Sequence, residues 1–153
     1  MSGIKPCIVT IAGFDPSAGA GLLADIKTAE QLGVYAFGVC SAITVQTENV
    51  FEKVEWVDEA IVLQQLQTII ETYHPKVFKI GLIQNQTVLD SVCQLIRKEQ
   101  PDSKIIWDPI LSSSSGFQFH DQFNFNSEKI FLITPNLDEA KILFNDCTNE
   151  NLK

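Results

Sequence analysis

Short apolar runs alternate with amphipathic helical patterns along almost the whole chain, and no other feature constrains its fold as tightly. Residues 7–12 (CIVTIA) are rich in β-branched side chains and read as a strand buried on both faces. A glycine-bearing loop follows. Leu22, Ile26 and Ala29 then share one helical face with Leu23 beside them, while Lys27, Glu30 and Gln31 point away and Gly33 supplies a stop. Residues 37–45 (FGVCSAITV) give a second strand that ends at Gln46, and residues 52–57 (EKVEWV) alternate as a half-exposed strand does. Asp58 caps a helix whose apolar stripe is Val62, Leu63, Leu66, Ile69, Ile70 and Tyr73, closed by Pro75. Residues 77–80, 104–107 and 130–134 are further strands, and 87–98 and 137–144 further helices; in the first of these helices Val88, Leu89, Val92, Leu95 and Ile96 point inward. Such alternation predicts a single α/β domain over residues 1–153, with a mostly parallel sheet and helices on both faces.

Composition narrows the function classes. The formal net charge of -8 argues against a nucleic-acid partner, which clustered Lys and Arg would serve. No apolar stretch is long enough to span a membrane, and the N-terminal MSGIKPCIVTIAG lacks the apolar core of a signal peptide, so a cytoplasmic protein is expected. Cys7, Cys40, Cys93 and Cys147 lie far apart with no histidine at ligand spacing, which makes a zinc site a poor reading; the first three sit in apolar patterns as small buried residues of a reduced protein. His74, before Pro75, and His120, in the segment GFQFHDQFNFN, carry no expected chemistry.

A parallel α/β sheet binds ligands at the carboxyl ends of its strands. That rule selects the polar residues just after each apolar run: Gly13 to Asp15, Gln46, Gly81, Asp108 and Asn136. The first of them opens the loop GFDPSAGAG, residues 13–21. Gly19-Ala20-Gly21-Leu22-Leu23-Ala24 matches G-x-G-x-x-A, yet residues 14–18 separate it from the strand, and Gln46 stands where a dinucleotide site needs an acidic residue. The nucleotide loop G-x-x-x-x-G-K-[ST] is excluded because no Gly-Lys occurs. Two readings stay open. The loop and the helix N-terminus after it can hold a small polar ligand, or Asp15 caps the helix with Pro16 in its first turn while Gly19 and Gly21 permit close packing.

The ordered blocks TIAGFDPSAGAGLLADIKT, AITVQT, KIGLI, WDPILSSSSG and ITPNLDEA resemble the hydroxymethylpyrimidine/phosphomethylpyrimidine kinases of thiamine biosynthesis, members of the ribokinase-like superfamily. The resemblance implies that Gly13, Ala20 and Asp25 lie near a bound pyrimidine ring, that the Gln46 amide pairs with the ring nitrogen and amino group, that Gly81 and Leu82 line the ring pocket, and that Ile110 packs over the ring. It implies ATP as co-substrate with Mg2+, and it places Asp108, Asn136 and Glu139 near the nucleotide phosphates, with Asp108 and Glu139 toward the metal through water. Taken without the resemblance, Asp108 caps a turn, and Asn136 or Asp138 caps the last helix.

The sequence departs from the family pattern at several positions. Phe14 stands for the usual serine, Ala18 for the usual glycine and Leu82 for the usual methionine, and the serine run at 112–115 lacks the basic residue often found there. No G-T-G-C or G-T-G-D element occurs, so no catalytic residue is assigned within the chain, and three forms stay open: a fragment of a longer kinase, half of a split protein completed by a second chain, or a short protein that binds a pyrimidine without phosphorylating it. The resemblance also implies a homodimer. A pyridoxal kinase, or a pyrimidine-binding protein without catalysis, is the alternative activity.

Overall fold

A computed structural model of the chain describes residues 6–112, 119, 123 and 129–144. Ten elements follow in the order β1 (Cys7–Phe14), α1 (Gly21–Gln31), β2 (Tyr35–Gln46), β3 (Phe51–Trp56), α2 (Glu59–Tyr73), β4 (Val77–Ile80), α3 (Gln86–Glu99), β5 (Lys104–Trp107), β6 (Leu132–Ile133) and α4 (Leu137–Phe144). The strands form one sheet in the order β3-β2-β1-β4-β5-β6. All neighbours run parallel except β2 and β3, so the expected α/β architecture is present, with β3 as an antiparallel edge. The last strand is shorter than the expected 130–134, although the N–H groups of Phe131 and Thr134 still donate to Ile105 and Trp107 on β5.

Alternation along the strands sorts side chains to the two faces. Val9, Ile11, Val39, Phe78, Ile80, Ile105 and Trp107 are buried in the main core with Val62, Leu66 and Ile70 of α2 and Val88, Val92 and Ile96 of α3. The opposite face of β1 and β2 is covered by α1, whose Leu22 and Ile26 lie against Gly38. Asp58 caps α2 as expected, accepting from the Ala60 N–H at 2.8 Å, and Asn85 caps α3 through the Val88 N–H at 3.0 Å. Tyr73 departs from the expected apolar stripe: as the last residue of α2 it is 54% exposed, with its ring 4.3 Å from that of Phe37. His74 ends the helix in the left-handed region at φ 48. Cys93 is buried, and burial pushes its thiol pKa up to about 11; Cys7 and Cys40 are only half-buried, and Cys147 and His120 lie outside the described residues.

From β1 the chain moves to β2 and β3 on one side, and from β4 to β5 and β6 on the other. The switch between β1 and β4 leaves a crevice beyond their carboxyl ends, where ligands of such sheets bind. The entry to α1 is built around that crevice. Gly21 begins the helix at φ +58, and a Cβ there would stand 2.2 Å from the Gly13 carbonyl oxygen, so backbone conformation and contact both demand glycine. Gly33 is a useful control, since it also has positive φ (+74) but nothing within 4 Å of its Cβ position. Gly21→Ala is therefore expected to cost at least about 3 kcal/mol in denaturant unfolding, and Gly33→Ala only about 1 kcal/mol. Equal losses would show that the close approach to Gly13 is unimportant.

Candidate active site

The crevice holds a cavity of about 380 Å³. Gly13 and Asp15 reach it from the end of β1, Ala20 and Asp25 from the start of α1, Thr44 and Gln46 from the end of β2, Lys79 and Leu82 from β4 and its following turn, and Asp108, Ile110, Ser112 and Phe119 from beyond β5. Six of the seven residues assigned to the ring thus line one space: Gly13, Ala20, Asp25, Gln46, Leu82 and Ile110. Gly81, the seventh, sits just behind it. Its missing side chain leaves room for Lys79, whose Nζ would be 3.1 Å from a Cβ at that position.

Asp15 organises the first wall. Its carboxylate accepts from the Ser17 N–H (2.9 Å) and hydroxyl (2.8 Å), and from the N–H groups of Gly19 (3.2 Å) and Ala20 (2.9 Å). The capping reading is thus corrected: α1 starts at Gly21, its N-cap Ala20 has no side-chain cap, and Pro16 lies before the helix in the loop. The carboxylate instead closes the loop on itself. Ala18, where glycine is usual, sits at φ 57 inside that loop. Burial raises the Asp15 pKa, but Ser17, the Gln46 amide and the Ala20 N–H outweigh it, and the net shift is downward.

The opposite wall carries a charge cluster that sequence reading missed. Lys79 Nζ lies 3.0 and 3.3 Å from the two Asp25 oxygens and 3.4 Å from Asp108. The Thr10 hydroxyl donates to Asp25 as well. Only one signal could have revealed Lys79: a lone lysine inside the apolar run VFKI, on the face opposite Phe78 and Ile80. Phe119 was missed too. It closes the cavity against the β3 edge, with its ring 5.2 Å from Phe51 in an edge-on arrangement, and its N–H donates to Leu111.

Asn136 and Glu139 do not line this cavity. They cap α4 reciprocally: the Asn136 side chain accepts from the Glu139 N–H at 2.9 Å, and Glu139 Oε2 accepts from the Asn136 N–H at 2.8 Å. Among the described residues no three Asp, Glu, His or Cys side chains gather as a metal cage. Of the two expected acidic ligands Asp108 alone faces the cavity, and a single carboxylate there could hold a divalent cation only with water completing its shell. Residues 113–115 of the serine run lie outside the described residues, while Ser112 lines the cavity.

A sequence model described as phosphomethylpyrimidine kinase matches residues 15–153. The chain belongs to that family. Among curated relatives of these kinases, the bifunctional thiamine biosynthesis protein ThiDN of Methanocaldococcus jannaschii is 36% identical over 95% of this chain and 35% of its own length. The hydroxymethylpyrimidine/phosphomethylpyrimidine kinase of Aquifex aeolicus is 35% identical over 88% of this chain and 55% of its own. The crystal structure of phosphomethylpyrimidine kinase from Clostridium difficile 630 superposes with a TM-score of 0.75 at 29% identity, covering 90% of this chain and 62% of that one. Pyridoxal kinase from Staphylococcus aureus in complex with pyridoxal also gives 0.75, at 25% identity, covering 92% of this chain and 54% of that one. The chain thus spans about half the length of the Aquifex kinase and about a third of the Methanocaldococcus protein.

The lowered Asp15 pKa sets a pH dependence. A carboxylate whose folded pKa is depressed adds stability that is present above its unfolded pKa and is lost as pH falls through the folded value. Unfolding free energy is accordingly expected to fall as pH drops below the ordinary aspartate range, with a shallower fall in Asp15→Asn. Parallel pH profiles for the two proteins would remove Asp15 as the cause.

Proposed function

We propose that this chain supplies the pyrimidine-binding part of a kinase that phosphorylates 4-amino-5-hydroxymethyl-2-methylpyrimidine and its monophosphate with Mg-ATP. The observation that carries the reading is the gathering of Gln46 and the Asp15 loop with the apolar walls of Leu82, Ile110 and Phe119, in one cavity of a chain belonging to this family. A flat heteroaromatic ring suits such walls, and the volume falls in the ordinary range for small-molecule sites. Gln46 offers a donor and an acceptor in one plane, the pair an aminopyrimidine edge requires, and Asp15 beside it orients the amide. The polar end at Asp25, Lys79 and Asp108 receives the hydroxymethyl group.

The co-substrate enters from the β5 side in this reading. ATP supplies the transferred phosphoryl group, and magnesium neutralises charge on its phosphates. Asp108 would hold the ion's water shell, while the capping pair Asn136 and Glu139 fixes the start of α4 beside β6. Among the described residues none is assigned as the base that takes the hydroxyl proton. Residues beyond those described, in the same polypeptide or a partner chain such as a second copy, complete the active site, and the setting is cytoplasmic.

Calorimetric titration with the pyrimidine alcohol tests the binding half. The chain is expected to bind it with one-to-one stoichiometry, and Gln46→Ala to lose roughly tenfold or more in affinity, as when a ring donor and acceptor lose their partner. Pyridoxal, run as the competitor, is expected to bind more weakly. Tighter binding of pyridoxal would support the pyridoxal kinase reading, and absence of heat with either ligand would refute both.

A further inference from the structure

Among the described residues the ionisable side chains lining the cavity are Asp15, Asp25, Asp108 and Lys79, three carboxylates against one ammonium. The ammonium is shared between Asp25 and Asp108, within 3.0 to 3.4 Å of both. The loop amides that would greet an anion at the start of α1 are also taken, since Gly19 and Ala20 donate to Asp15. Nor does the chain bring another fixed positive charge from nearby sequence. From Pro109 to Glu128, the stretch that contributes Ile110, Ser112 and Phe119 to the lining, there is no lysine or arginine, and His120 is the sole basic side chain. Lys27, the other lysine close to the loop, donates to the Ala18 carbonyl at 2.6 Å and is not among the lining residues.

Resting on the pyrimidine reading, we infer that the cavity discriminates by charge: it takes the uncharged pyrimidine alcohol readily and resists the phosphate monoester unless a divalent cation accompanies it. A monoester carries close to two negative charges above neutral pH. In a concave site with apolar walls the field of the fixed carboxylates is focused, so it repels the ester more strongly than an open surface would while staying within reach of mobile ions. Lys79 sets the size of the effect, being the one lysine or arginine among the described residues that lines the cavity. Asp108 would hold a hydrated divalent cation at that end, and the charge of such an ion would offset the carboxylates and favour the ester. The alcohol and the ester thus differ in their need for the metal as well as in size.

The test is a calorimetric comparison of the alcohol and its monophosphate at pH 8 in EDTA-treated low-salt buffer, repeated at higher salt and then with millimolar Mg2+. The alcohol is expected to bind at least about tenfold more tightly than the ester without metal, and salt should narrow the gap because it screens charge. Mg2+ should strengthen ester binding selectively, by about tenfold or more. Asp108→Asn is expected to narrow the metal-free gap and to weaken the Mg2+ response; a circular dichroism melt establishes that the variant is folded, and the salt series tests the same point without any substitution. An ester bound as tightly as the alcohol in EDTA, or a gap indifferent to salt, overturns the inference while leaving the pyrimidine reading intact. Binding of neither ligand overturns the pyrimidine reading and this inference together.

Discussion

The Asp15 carboxylate, buried between the end of β1 and the start of α1, accepts from four donors within its own loop, the N–H and hydroxyl of Ser17 and the N–H groups of Gly19 and Ala20. Those bonds turn a glycine-rich segment with little preference of its own into a defined wall. They hold Gly21 where its missing Cβ lets the helix pass over the Gly13 carbonyl, and they leave Asp25 one turn further on, facing β4. A buried carboxylate with fewer partners would be costly. Here the hydrogen bonds outweigh desolvation, as the lowered pKa records.

Lys79 ties this loop to the rest of the sheet edge. It stands on β4 between β1 and β5 and bridges an aspartate of α1 to one after β5. Two segments more than eighty positions apart in sequence therefore meet through one ammonium. The pair with Asp25 is partly exposed, so its stability contribution is modest. Its consequence is positional and electrostatic: it keeps both carboxylates at the polar end of the cavity, where the described side chains carry a net negative charge.

The fold was largely legible because its signals are local. Apolar runs such as CIVTIA and KIIW, the cap Asp58 and the Gly33 stop each act within a turn or two of chain. The strand-end rule brought Gly13, Gln46 and Asp108 together before any coordinates. What remained hidden depends on distant contact. Lys79 matters through Asp25 and Asp108, neither of them near it in sequence, and Phe119 through Phe51 and Trp56 across the cavity mouth. Asn136 and Glu139 were ambiguous in another sense: the spacing that the resemblance reads as a phosphate-side element is equally that of a capping box, which the structure shows at the start of α4. Of the two readings open for Asp15, the helix cap is not realised: its carboxylate bonds Ser17, Gly19 and Ala20 within the loop.

The central claim is that a pyrimidine occupies the cavity between the Asp15 loop and the Leu82–Ile110 wall. Methyl-labelled leucine and isoleucine side chains provide the most direct reading, through NMR spectra recorded as the pyrimidine alcohol is added. The account predicts shifts at Leu82 and Ile110 with intermolecular Overhauser contacts to the ligand's 2-methyl group, while Ile61 on the exposed side of α2 and Ile142 on α4 stay fixed. Contacts that map to those remote methyls, with Leu82 and Ile110 unmoved, would contradict it.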